Sequence, residues 1–142
     1  MREETVHTDL TVIGGGLAGV CAAIAAARLG ARVALVQNRP VLGGNSSSEV
    51  RVWVVGATAH GNEPVDVAMV CTGKHRYARE NGIIGEMLVE NQYRNPEGNP
   101  YYWDLVVLEA VRAEPNIELF LNTDVREVTV EGDRDAPRIS SV

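Results

Sequence analysis

The chain has 142 residues, 45% of them apolar and 23% charged, with a formal net charge of −6. That is one ordinary globular domain with enough apolar chain to bury a core, and its acidic balance argues against a nucleic-acid backbone or an anionic membrane as main partner. No apolar run approaches the roughly 20 residues that span a bilayer, the polar start MREETVHTD lacks the apolar centre of a secretory signal, and Cys21 and Cys71 lie far apart without a CxxC pair. Both cysteines read as reduced core thiols, with a cytoplasmic location.

DLTVIGG (9–15) is a short apolar run ending in glycine, the pattern of a parallel strand covered on both faces. LAGVCAAIAAARLG (17–30) follows as an alanine-rich helix stopped at Gly30, and ARVALV (31–36) is a second buried strand. Strand, turn, helix and strand form a βαβ unit. Its turn is Gly14-Gly15-Gly16-Leu17-Ala18-Gly19, a G-x-G-x-x-G sequence. In this pattern Gly14 makes the tight turn, Gly16 lets a pyrophosphate approach the backbone, and Gly19 lets the helix pack near the strand. The helix N-terminus then offers N–H groups to phosphate. A glycine turn without ligand is the bland alternative, and the flanking strand and helix argue against it.

About twenty residues past the glycines, where an acid normally accepts from ribose hydroxyls, the chain has Gln37. The amide keeps an acceptor and adds donors but carries no charge, which weakens ribose binding without removing it. Arg39 leaves open an NADP reading, with the base on the 2′-phosphate.

EVRVWVVG (49–56) alternates like a strand with Val50, Val52 and Val54 on one face. From Ala57 to Lys74 the pattern blurs. Ile83, Ile84, Met87, Leu88 and Asn91 form a helical stripe over 81–93. RNPEGNP is a loop, and 102–113 is an amphipathic helix with Trp103, Val106, Val107, Ala110 and Val111 inward. IELFLNT (117–123) and VREVTVEGD (125–133) are strands, the second closing on a Gly-Asp turn toward a returning strand at RISSV.

Residues 9–50, from DLTVIGGGLAGV through AAARLGARVALV to RPVLGGNSSS, resemble the FAD-dependent oxidoreductases of the two-dinucleotide-binding-domain type. The Gly43-Gly44 doublet carries much of that likeness, since nicotinamide-only dehydrogenases do not usually place one there. The resemblance implies an α/β fold: a Rossmann-like FAD-binding unit with a parallel sheet plus a β-meander. FAD would be the cofactor of a flavoenzyme that takes a hydride from an organic substrate. Gly14, Gly16, Leu17, Ala18 and Gly19 would contact the pyrophosphate. Gln37 would hold the adenosine ribose, with Asn38 and Arg39 near the adenine end. Gly43, Gly44, Asn45 and Ser46 would follow the phosphates toward the ribityl chain, and a backbone group at Val125 would touch adenine. Related flavoproteins continue with a further strand and a substrate domain, so residues 1–142 would be the incomplete FAD-binding domain of a longer enzyme, inactive by itself.

His60 in TAHGN is the one candidate general acid or base near the flavin end, set against an exposed loop histidine. His75, beside Lys74 and Arg76, reads as basic surface, and His7 as without role. Glu49 and Arg51 either anchor substrate or pair with each other on the surface. No metal site, triad or P-loop spacing is present. An NAD(P)-dependent dehydrogenase domain and a non-catalytic nucleotide-binding fragment are the alternatives.

Overall fold

The computed structural model describes residues 5–54, 81–134 and 136–142. Three short strands, β1 (Leu10–Ile13), β2 (Val33–Val36) and β3 (Ile117–Phe120), form a parallel sheet in the order β1-β2-β3. The register pairs Leu10 with Val33 and Val33 with Ile117, so the three strands start level and end level. Helix α1 (Leu17–Arg28) joins β1 to β2. Between β2 and β3 come α2 (Ile83–Arg94) and α3 (Pro100–Arg112). This is the expected Rossmann-like α/β arrangement.

The core is the seam where α1 meets β2 and α3. Val20, Ala23, Ile24 and Ala27 of α1 are buried, as are Val33 and Leu35 of β2 and Trp103, Val106, Val107 and Val111 of α3. The small residues Ala23 and Ala27 repeat at i and i+4 and form one face of α1, which lets the helix lie close to the sheet. Met87 is the buried member of the α2 stripe, with Ile83, Ile84 and Leu88 half-buried against the same cluster. Arg28, at the end of α1, binds Glu86 of α2 and Glu114 beyond α3, so one guanidinium ties three segments together.

Several boundaries differ from the sequence expectation. β1 is not covered on both faces: Leu10 and Ile13 are exposed at 41% and 55%. Helix α3 starts two residues early, inside the expected loop, because Asn99 caps it by accepting from the Tyr101 N–H at 3.0 Å and Pro100 supplies a preset φ at the first position. The strand expected from Glu49 is absent over 49–54. There the Arg51 N–H donates to Ser47 O at 2.8 Å and Arg51 itself takes φ 65°, which turns the chain. Of the valines that alternation placed on one face, Val50 and Val52 are exposed. The strand expected over 125–133 is reduced to β4 (Thr129–Glu131), paired antiparallel with β5 (Arg138–Ser141) across Gly132, and both strands are exposed throughout.

Candidate dinucleotide site

The carboxyl ends of the three strands meet in one place. Gly14 N–H donates to Val36 O, and Gln37 N–H donates to Phe120 O, both at 2.8 Å. The crevice beyond such ends is where parallel α/β sheets bind ligands. Two glycine turns occupy it.

The first follows β1. Gly14 has φ 105°, a left-handed value that a side chain resists, and it redirects the chain toward α1. Gly16 is the N-cap residue of α1 in an extended conformation. No side chain caps this helix and no acid lies in its first turn, so the N–H groups of Leu17, Ala18 and Gly19 have no intrahelical acceptor. A Cβ on Gly19 would lie 1.9 Å from Gly14 O, whereas a Cβ on Gly16 would meet nothing within 4 Å. The two glycines therefore differ in kind. Gly19 is demanded by the fold; Gly16 leaves an open space that the fold does not use.

The second turn lies against the first. Gly43, at φ 103°, donates its N–H to Gly15 O at 2.8 Å and forms a parallel bridge with Gly16. A Cβ on Gly44 would sit 3.1 Å from Gly16 Cα. A single 3-10 turn, Gly44–Ser46, then carries the chain away. Asn45 is exposed and Ser46 half-buried, while Ser47 is fully buried.

Gln37 lies between the turns and is 8% exposed. Its Oε1 accepts from Gly15 N–H at 2.9 Å and its Nε2 donates to Val41 O at 3.2 Å. The amide thus stitches the glycine turn to the segment leading to the doublet, using a donor that a carboxylate lacks. Asn38 and Arg39 are exposed beside it.

Arg39 Nε donates to Glu49 Oε2 at 3.1 Å. This corrects the expected Glu49–Arg51 pair: the turn at Arg51 sends its guanidinium to Ser48 O at 2.9 Å and to the Tyr101 hydroxyl at 3.3 Å. Val125 is half-buried in the irregular stretch after β3. Cys21 is a free, half-buried thiol whose pKa is pushed up by burial. His60, Cys71 and His75 lie outside the described residues.

Two contributors were not recognisable as site residues from the sequence. Trp103 Nε1 donates to Ser46 Oγ at 3.0 Å, and Asp104 Oδ1 accepts from Ser48 N–H at 2.8 Å. Trp103 fits the inward stripe of its helix, and Asp104, three and seven residues before Val107 and Val111, sits at the edge of the same stripe. No local signal links either to a loop more than fifty residues earlier. Beyond Ser46 opens a cavity of about 430 Å³, whose lining includes Trp53, Trp103, Arg51 and Glu97.

The residues present suit FAD. Helix-terminal N–H groups without intrahelical acceptors lie beside Gly16, where a Cβ would meet nothing within 4 Å, and the Gly43-Gly44 backbone packs against Gly16. Comparison with known proteins agrees. The family model for FAD dependent oxidoreductases matches residues 9–142. Sarcosine oxidase subunit alpha of Corynebacterium sp. (strain U-96) is 56% identical over 39 residues, which are 28% of this chain and 4% of that protein. The match to that curated relative thus spans only a small part of its length. With the model covering nearly the whole sequence, the chain belongs to the FAD-dependent oxidoreductase family, and FAD is the cofactor that family binds.

Proposed function

We propose that this chain is the FAD-binding portion of an enzyme that moves a hydride from a small organic substrate to the flavin. The observation that carries the reading is the pairing of the two glycine turns, with Gly43 N–H on Gly15 O and Gly44 against Gly16. The pairing brings a second stretch of bare backbone to the end of α1, as a pyrophosphate flanked on two sides would need. When bound, the flavin supplies the two-electron chemistry, and the protein's part is to bind, orient and exclude water.

In this reading the Leu17, Ala18 and Gly19 N–H groups and the Gly43-Gly44 backbone hold the phosphates. Gln37, Asn38 and Arg39 border the adenosine end, Asn45 and Ser46 lead toward the ribityl chain, and the main chain at Val125 meets adenine. Arg39 is engaged by Glu49, which speaks against its serving a 2′-phosphate and so against the NADP alternative. The cavity beyond Ser46 is the compartment we assign to substrate. Trp53 and Trp103 give it apolar walls, while Arg51 and Glu97 bring one charge of each sign, so neither anionic nor cationic substrates are singled out. Neither nucleic acid nor membrane is expected as partner, given the charge of −6, and among the described residues no helix is long and apolar enough to cross a membrane. A cytoplasmic location belongs to the same proposal and rests on the wide spacing of Cys21 and Cys71 in the sequence, without a CxxC pair.

The test is an absorbance spectrum of the purified protein, followed by titration with FAD and with NAD. A yellow protein, or saturable uptake of FAD alone, supports the reading. Uptake of NAD without FAD would replace it with a nicotinamide dehydrogenase. Uptake of neither, in this chain and in a longer one, would leave a fold without its ligand.

A further inference from the structure

The second glycine turn is placed by a helix far from it in sequence. Its internal bonds, Ser46 N–H to Gly43 O at 3.1 Å and Ser47 N–H to Gly44 O at 3.0 Å, fix its shape but not its location. At its front it is held by Gly43 N–H on Gly15 O. At its back it is held by two neighbours on α3. The Trp103 indole N–H donates to Ser46 Oγ, and the same hydroxyl donates to Gly43 O at 3.0 Å. Asp104, only 9% exposed, accepts from the Ser48 N–H.

We infer that Trp103 and Asp104 are positioning residues for FAD, holding the Gly43–Ser48 segment at the distance from Gly16 that the phosphates require. The inference rests on the FAD reading of the two glycine turns. Its physical basis is the planar trans peptide between Gly43 and Gly44. Because the Gly43 carbonyl is directed at Ser46 Oγ, the Gly44 N–H on the same peptide plane points the opposite way. Among the described residues that N–H donates to no acceptor. The indole N–H completes the chain: with one donor already aimed at Ser46 Oγ, the serine proton is committed to Gly43 O. The chain from indole to hydroxyl thus adds a second hold on a carbonyl that the Ser46 N–H already engages, and through it on the free donor opposite.

Asp104 completes the clamp at a cost. A buried carboxylate needs compensation, and its partner among the described residues is a main-chain N–H of the loop itself. Neither residue is needed to attach α3, which Val106, Val107 and Val111 bury against α1 and the sheet. Losing the clamp should therefore loosen the loop and spare the fold.

Hydrogen exchange on the full chain without cofactor, paired with an FAD titration read by flavin fluorescence, separates the possibilities. Trp103→Phe keeps an aromatic ring in the core but loses the five-membered half of the indole with its N–H, at some uniform cost in stability from the smaller side chain. Beyond that cost it should speed exchange over 43–48 about tenfold, leave the 14–19 turn and α1 unchanged, and raise the Kd for FAD by a similar factor. Asp104→Ala should act in the same way, while Asp104→Asn, which retains an acceptor oxygen, should restore near wild-type behaviour in both readings. Unchanged exchange over 43–48, or a uniform loosening with lowered Tm and unaltered Kd, would overturn the inference and reduce both residues to packing. Failure of the wild-type chain to take up FAD would instead overturn the cofactor reading of the turns. The exchange pattern would still decide whether the two side chains hold the loop.

Discussion

The two glycine turns that face each other are made in opposite ways. The Gly14–Gly19 turn carries its own instructions: β1 ends, Gly14 takes a left-handed φ, and α1 starts so close that Gly19 has no room for a Cβ. The Gly43–Ser48 turn borrows its placement from Gly15, Gln37, Trp103 and Asp104, residues drawn from three other parts of the chain. A turn fixed by local sterics can be read from a motif, whereas a turn fixed by distant hydrogen bonds leaves only its glycines as a trace.

The comparison breaks most sharply at Gly19. A methyl group there would meet a main-chain oxygen at 1.9 Å, and backbone cannot swing aside as a side-chain tip can. Gly19→Ala should destabilise the fold by about 3 kcal/mol, measured by denaturant unfolding. Unchanged stability would show that the turn and helix can separate freely.

The link between the turns can be weakened more gently at Gln37. Gln37→Glu retains an acceptor for Gly15 N–H but sets a carboxylate oxygen against Val41 O where an N–H now donates across 3.2 Å. The expected loss is about 1–2 kcal/mol at neutral pH. Burial and the facing carbonyl raise the folded-state pKa of the introduced acid. The loss should therefore be full above that pKa and should shrink as pH falls through it, because the protonated acid can donate to Val41 O. A variant as stable as wild type across this range would show that the amide donor contributes nothing.

The smallest effect belongs to the opposite end of the sheet. Asp9 accepts from the Arg32 side chain and main chain, and these bonds hold its carboxyl down at about 2 against an ordinary 3.8. A depressed folded-state pKa contributes stability above the ordinary value that is lost as pH falls toward 2. Asp9→Asn should be slightly less stable than wild type near neutrality, with the difference closing between pH 4 and 2 and with FAD binding untouched. Asp9 is about half exposed at the surface, so solvent screening keeps this effect small. A difference that persists at pH 2 would assign it to something other than the ion pair.

What was legible in the sequence follows the same division. The βαβ unit, the stripes of α2 and α3, and the G-x-G-x-x-G turn arise from periodicity and local sterics, and each lies within a residue or two of its expected place. The valine alternation at 50–54 misled because Arg51 turns the backbone where a strand would continue, a choice made by Ser47 O and Asn45 O as acceptors. The anchors Trp103 and Asp104 left no trace as site residues. Trp103 fits an ordinary inward position, and Asp104 sits at the edge of the same stripe, where periodicity does not say that a loop covers it. Gln37, which looked like a missing acid, is a residue whose donor and acceptor are both in use.

The most direct test of the cofactor cradle is Gly16→Val, measured for stability and for FAD affinity together. A Cβ at Gly16 would meet nothing within 4 Å and its φ of −64° suits an L residue, so the variant should still fold, losing about 1 kcal/mol because valine is a poorer N-cap than glycine. Its side chain would stand where the pyrophosphate approaches, and FAD affinity should fall by about a hundredfold or more. A folded Gly16→Val protein that binds FAD as wild type does would contradict the account, because the phosphates would then lie somewhere other than between the two glycine turns.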